Sequence, residues 1–448
     1  MKLSKWTFVV LAALVASVFG LTACGKTIDE NTVWEGDILV GNTAATSGGY
    51  SVVGVPFNAA LEAYLAYYNA ELRVDGRGKV KFRHYDDKFD SAEGQTLTEK
   101  LVEEDEVFAL VGHFGTPTVG ATLNYIAEQK VPMVYAATGV DTLYNKNATG
   151  GERYILPVQP IFTTEGAVFA VRAVAKDPAY GLGMTKIGVI YTDDDAGKGM
   201  KAAVESQVAE IKKNAAFEDV SFSYKMVTMA NVSSEAPAAV QSLKTEGVEC
   251  VIIAANQSPM VTIATAMKNV DLDVPFLTSY VNASATIANT LGTSGVLTDN
   301  RVMYTNGWVD VYQTEDVAKF KEIMEDYAEL EGTGFKVSET FDPTDTKDIR
   351  NNSFAMAGYI AGEVFVQGLI RTYDQNDGKL TRAAYVDAME SASVKIAMAG
   401  TLDFSGGQRF GIDKLLFFSY TASGGFGSTI LTYNDIATIM EHLEAPAA

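Results

Sequence analysis

Lys186-Ile187-Gly188-Val189-Ile190-Tyr191 is an apolar run of strand length, closed by Thr192-Asp193-Asp194-Asp195-Ala196-Gly197. Short apolar runs bounded by turn residues read as strands buried on both faces, the kind that build parallel sheets. Downstream, the pattern predicts a helix over 199–214, a strand over 221–227 and a helix over 236–246. Val248-Glu249-Cys250-Val251-Ile252-Ile253 follows as a strand, then a helix over 261–268 and a strand at Pro275-Phe276-Leu277. Strands separated by helices of this length imply right-handed βαβ units.

The same rhythm stands upstream. Asp37-Ile38-Leu39-Val40-Gly41 reads as a strand, followed by a helix over 57–72 with Phe57, Leu61, Tyr64, Leu65 and Tyr68 on one stripe. Val80-Lys81-Phe82-Arg83-His84-Tyr85 alternates as a half-buried strand does. A helix over 92–103, strands at Phe108-Ala109-Leu110-Val111 and Val131-Pro132-Met133-Val134-Tyr135, and a helix over 118–129 complete a second doubly wound half. Beyond 300 the pattern gives a strand over 301–309 and a surface loop over 331–350. A long helix over 352–373 carries small residues at Ala355, Ala357, Gly358, Ala361 and Gly362, and strands follow at Thr401-Leu402-Asp403-Phe404 and over 415–420. The expected fold class is α/β, with two Rossmann-like lobes. Open α/β sheets bind ligands beyond the carboxyl ends of their strands. Those ends are 41–50, 112–118, 136–141, 192–197, 254–258 and 278–281, and two facing lobes would enclose one cleft between them.

At 448 residues the chain is too long for one core. Its apolar fraction of 47% and charged fraction of 20% are those of a globular protein. Net charge is −21, and Lys2 and Lys5 are the only cations before Cys24; without them 33 basic residues face 56 acidic ones, or −23. That balance argues against nucleic acid and against anionic lipid surfaces as partners.

The two lysines precede an apolar core from Trp6 to Leu21, the layout of a secretory signal over 1–23. Leu21-Thr22-Ala23-Cys24 resembles the bacterial lipobox, which implies that Cys24 becomes the first mature residue and carries lipid. Segment 24–35 is polar and aperiodic, as expected of a tether. The protein is therefore expected to be extracytoplasmic, touching the membrane through its anchor.

Four stretches make the chain resemble the type I periplasmic binding proteins, in particular the leucine/isoleucine/valine-binding branch of ABC-importer receptors. They are Ile38-Leu39-Val40-Gly41 with Ser47-Gly48-Gly49-Tyr50; Tyr85-Asp86-Asp87; Val111-Gly112-His113-Phe114; and Pro132-Met133-Val134-Tyr135-Ala136-Ala137-Thr138. The spacing continues through Ile187 to Tyr191 and on to Phe354 and Tyr359. The resemblance implies two lobes joined by a three-strand hinge, one of 33–157 and 304–408 and the other of 158–303 and 409–448. It implies a monomer that binds a small polar solute, a branched-chain amino acid by default, and hands it to permease and ATPase subunits. The alternatives are an aromatic or organic acid, an amide, or a sensory module that does not transport.

By the same resemblance, Thr116, Ala136 and Thr138 would bind a carboxylate at strand-to-helix junctions, where unpaired N–H groups favour an anion. Tyr50 and Phe354 would be apolar walls. The family's ammonium-binding Glu falls on Tyr280, two of its tyrosines on Ala196 and Asn256, and its disulfide on Phe89 and Gly115. Asp194, within Asp193-Asp194-Asp195, could replace the lost counter-ion, or the triplet could be a solvated loop. No cofactor is expected, and His84, His113 and His442 stand too far apart in sequence for a metal site. No phosphate loop, nucleophile elbow or dinucleotide fingerprint is present, so an enzyme is not expected.

Overall fold

The computed structural model describes residues 28–310, 314–343, 345–422 and 428–441. Signal segment 1–23 and Cys24 lie outside the described residues. Chain order begins β1 (Ile38–Ala44), α1 (Ser51–Tyr67), β2 (Val80–Asp86), α2 (Ser91–Glu103), β3 (Ala109–Val111), α3 (Thr116–Glu128), β4 (Met133–Val134) and β5 (Ile155–Leu156). It continues through α4 (Phe162–Val174), β6 (Lys186–Thr192), α5 (Asp195–Ile211), β7 (Ser221–Val227), α6 (Val232–Glu246), β8 (Cys250–Ala254), α7 (Gln257–Asn269), β9 (Phe276–Thr278), α8 (Ala285–Thr293) and β10 (Met303–Gly307). The remainder is α9 (Thr314–Tyr327), α10 (Ser353–Gln375), α11 (Arg382–Ser391), β11 (Val394–Ile396), β12 (Gly400–Leu402), β13 (Lys414–Tyr420), β14 (Ser428–Asp435) and α12 (Ile436–Glu441).

Two main sheets result. The first has the order β2-β1-β3-β4-β5 and is parallel throughout. The second has the order β14-β13-β10-β9-β8-β6-β7, parallel from β10 to β7, with β13 and β14 added antiparallel. Burial on both faces follows from the strand period of two. In β8, Cys250, Ile252 and Ala254 face one apolar cluster, while Val251, Ile253 and the following Ala255 face another. The Cys250 thiol is fully buried as a small hydrophobe, and burial pushes its pKa far up.

Helix α10 packs along α1 in the first half. A Cβ on Gly358 would stand 1.9 Å from the Phe57 carbonyl oxygen, so the helices approach this closely only because position 358 has no side chain. By length and composition α10 could span a membrane, but 78% of its most apolar stretch is buried inside the fold. Its apolarity is used by the core.

Two sequence expectations shift. Strand β10 pairs with β9 and β13, which keeps the chain in the second sheet to Gly307, past residue 304 where the resemblance implies the return to the first lobe. The expected tether over 24–35 is docked from Glu30 onward. The Glu30 carboxylate accepts from Lys130 at 2.8 Å and from Tyr154 at 2.5 Å, and the Trp34 ring packs edge-on to Phe108 at 5.1 Å. A polar, aperiodic stretch gave no sign of these three anchors. Helices α4, α8, α9, α11 and α12 were not expected, and most of the expected helices begin one to six residues earlier than the periodicity placed them. Capping side chains set several of those starts, as Asp90 does for α2 and Asp194 for α5.

Candidate ligand-binding cleft

The strand ends of the two sheets meet around a cavity of about 450 Å³, within the range of small-molecule sites. An isolated bridge between Phe114 and Ala137 carries the β3–β4 pairing past the strand ends. It sets the first turn of α3 beside Thr138. Gly115 precedes that helix with φ +100°, a conformation open to glycine and costly for other residues. Thr116 and Thr138 are buried and their hydroxyls share one hydrogen bond of 2.8 Å. With the free N–H groups of the helix start, they make a polar point suited to an anion.

Aromatic rings are prominent in the remaining wall: Phe57, Phe114, Tyr135, Phe162, Trp308 and Phe354 all line the cavity. Tyr135 and Phe89 hold φ of +59° and +65°, the left-handed region that is strained for bulky residues. A relay joins the two halves beneath the cavity. Tyr135 Oη donates to Gln159 Oε1 at 3.3 Å, Gln159 Nε2 donates to Tyr280 Oη at 2.9 Å, and Tyr280 Oη donates to the Pro160 carbonyl at 2.7 Å. Across the cleft, Ser353 Oγ donates to the Ala283 carbonyl at 3.0 Å.

Of the residues expected from sequence, Thr116, Thr138, Asn256, Tyr280 and Phe354 line this one cavity. Asn256 opens α7 without capping it, and its side-chain amide has no hydrogen-bond partner among the described residues. Tyr280 contributes its ring, with its hydroxyl committed to the relay and its pKa driven far up by burial. Behind it, Glu165 accepts from Ser279, from the Tyr280 N–H and from Asn306, and burial raises its pKa to about 7 against those bonds.

Tyr50, Ala136, Asp194 and Ala196 do not line it. The Tyr50 ring stacks on Phe89, which does, at 3.7 Å. Burial raises the Tyr50 pKa to about 12, with the Asp194 carboxylate adding to the effect. The Ala136 side chain is buried in the core of the first half, and its neighbour Ala137 faces the cavity. Asp194 caps α5, accepting from the Gly197 N–H at 3.0 Å and from Thr192 Oγ1 at 2.6 Å. Ala196 is fully buried beneath that cap. The Asp triplet is thus helix-capping and loop structure, with Asp193 accepting from the Met229 N–H. Phe89 and Gly115, the positions of the disulfide in the resembled family, are neighbours here: a Cβ on Gly115 would lie 3.1 Å from the Phe89 ring.

The sequence reading missed Trp308, Lys321, Phe341 and Arg350. Trp308 stands just beyond the carboxyl end of β10, where the strand-end rule would have found it. Lys321 lies on an unexpected helix and Phe341 and Arg350 in the expected surface loop, and no motif marks them. No Asp or Glu lines the cavity among the described residues.

Comparison with known proteins agrees with this architecture. A family model for periplasmic binding proteins matches residues 37–425. No protein of curated function matches the chain. Among solved structures, a branched-chain amino acid ABC transporter protein from Thermus thermophilus with bound valine superposes with a TM-score of 0.70 at 15% identity, over 91% of this chain and 98% of its own. A fatty acid ABC transporter substrate-binding protein from Thermomonospora curvata gives 0.69 at 14% identity, over 91% and 96%. A solute binding protein from R. palustris in complex with benzoate gives 0.66 at 16% identity, over 89% and 96%. The chain belongs to the periplasmic binding proteins of the type I fold, an extracytoplasmic family that binds small molecules and works with ABC transporter components.

Proposed function

We propose that this chain is the substrate receptor of an ABC importer and that its ligand is a small organic carboxylate with an aromatic or aliphatic body. One observation carries the reading: the Thr116–Thr138 hydroxyl pair opens, beside a helix start, into an aromatic-walled cavity with no lining carboxylate. An α-ammonium group placed there would be desolvated without a counter-ion, at a cost of several kcal/mol. A carboxylate meets hydroxyls and N–H groups instead. Two of the structural relatives are named for fatty acid transport and for a benzoate complex, ligands of this chemistry.

The receptor would work as two lobes, 33–157 with 304–408 and 158–303 with 409–448, that close on the ligand by a hinge, with the closed surface read by permease and ATPase subunits. Cys24, after removal of 1–23, would hold it at the membrane by lipid. A branched-chain amino acid remains the second reading. It is favoured by Asn256 and by the Gln257 amide, whose Nε2 is committed to the Val281 carbonyl while its oxygen stays open to an ammonium.

Calorimetry on protein unfolded, stripped and refolded tests both readings with benzoate, octanoate and leucine. Binding of either acid with no response to leucine supports the carboxylate reading; binding of leucine alone replaces it with the second.

A further inference from the structure

Lys321 lies on α9 and lines the cavity, half-buried, with no ion pair or hydrogen bond among the described residues. Its ammonium nitrogen sits 3.7 Å from the centre of the Phe341 ring, and the Arg350 guanidinium lies 5.1 Å from the same ring. Arg350 is fully partnered: Asp348 binds its Nε at 2.8 Å and Nη2 at 2.5 Å, Glu325 takes Nη1, and the Ser338 carbonyl takes Nη2 at 2.8 Å. Those two carboxylates spend their hydrogen bonds on Arg350 and reach Lys321 only through their field, so the Lys321 ammonium lines the cavity with its own hydrogen-bond donors free. Burial first and the neighbouring guanidinium second press its pKa down, against the opposing pull of Asp348 and Glu325. Thr116 and Thr138 form a separate polar point of the same cavity, contributed by other elements, and aromatic side chains are prominent among the rest of the lining.

We propose that the ligand is a dicarboxylate with an apolar body, one end at the Thr116–Thr138 hydroxyls and the other at the Lys321 ammonium. The proposal rests on the carboxylate reading of the hydroxyl pair and adds the second anionic end. An anion at Lys321 would take the ammonium's free hydrogen-bond donors in a partly desolvated site, where a charge-assisted bond is about twice as strong as a neutral one. A neutral ligand tail would leave that cation as it stands. Lys321 would thereby set the preference for diacids over monoacids.

The test titrates stripped, refolded protein with matched probes: octanedioate and other diacids of six to twelve carbons against octanoate, and terephthalate against benzoate. The expected result is a diacid bound at least tenfold more tightly than its monoacid partner. Lys321→Met should abolish that preference by weakening only the diacid, and Lys321→Arg should retain it. Thr138→Ala should weaken both. Equal affinity for diacid and monoacid in the parent protein, or an equal loss of both in Lys321→Met, overturns the second anionic end. If monoacids still bind and depend on Thr138, the carboxylate reading survives that result. If no acid binds, both fall. The melting temperature of unliganded Lys321→Met, close to the parent value because only the contact with the Phe341 ring is lost, checks that the variant is folded.

Discussion

The hydroxyl oxygens of Thr116 and Thr138 lie 2.8 Å apart, tying the first turn of α3 to the loop after β4. Each hydroxyl has one donor and two acceptor positions, so the pair keeps capacity for a ligand oxygen. Thr138→Ala removes one partner and leaves Thr116 to serve alone. We expect affinity for the ligand carboxylate to fall by about 1–3 kcal/mol, with Thr138→Ser close to the parent. Calorimetry checks this, and an unchanged affinity in Thr138→Ala would take the pair out of the site.

Gly115 joins two demands at one position. Its φ of +100° excludes a side chain without strain, and a Cβ would press on Phe89 at 3.1 Å, the ring on which Tyr50 stacks. Gly115→Ala should therefore destabilise the fold by roughly 1–3 kcal/mol. It should also weaken ligand binding by moving the Phe89 wall. Chemical denaturation and calorimetry read the two effects separately; a variant with parent stability would show that the turn has another accessible conformation.

The parallel strands were legible because burial on both faces writes continuous apolar runs such as those of β6 and β8. The hydroxyl pair was legible through resemblance and the strand-end rule together. Helix α9 was not, since it buries a narrow stripe, Val317, Phe320, Ile323 and Met324, among many charges. Asp194 stayed ambiguous in the sequence for a physical reason: a carboxylate before a helix serves a ligand or the helix's own N–H groups, and sequence alone does not say which. Lys321 was invisible because what sets it apart, a place on the cavity wall beside Phe341 with no direct ion pair, exists only in three dimensions.

Tyr280 and Asn256 line the same cavity but should respond in opposite ways. The Tyr280 hydroxyl is spent on Gln159 and Pro160, so Tyr280→Phe leaves two buried polar groups short of a partner. A stability loss of about 1–3 kcal/mol is expected, with ligand preference retained. The Asn256 amide has no partner to lose, so Asn256→Ala should leave the melting temperature of the unliganded protein near the parent value and change affinity instead. Thermal melts with and without ligand separate the two outcomes, and a large affinity change in Tyr280→Phe with no loss of stability would mean that its hydroxyl faces the ligand.

His113 supplies a pH signature of the first half's core. The ring is fully buried; Nδ1 accepts from the Thr43 N–H, and Nε2 lies 3.1 Å from Thr122 Oγ1, whose own proton goes to the Thr118 carbonyl. This arrangement requires a neutral imidazole with its proton on Nε2. Burial pushes the folded pKa down from 6.5 to about 3. The unfolded chain therefore takes up a proton that the folded one refuses as pH falls below 6.5. The stability contributed by the neutral ring is fully present above that pH and is lost progressively toward pH 3, by about 1.4 kcal/mol per pH unit. His113→Gln has no proton to take up. Between pH 7 and pH 5 the unfolding free energy of the parent should fall relative to the variant by roughly 2 kcal/mol, whatever the variant's absolute stability. Urea titrations at a series of pH values measure that difference, and a constant gap would mean that the ring is charged inside the fold.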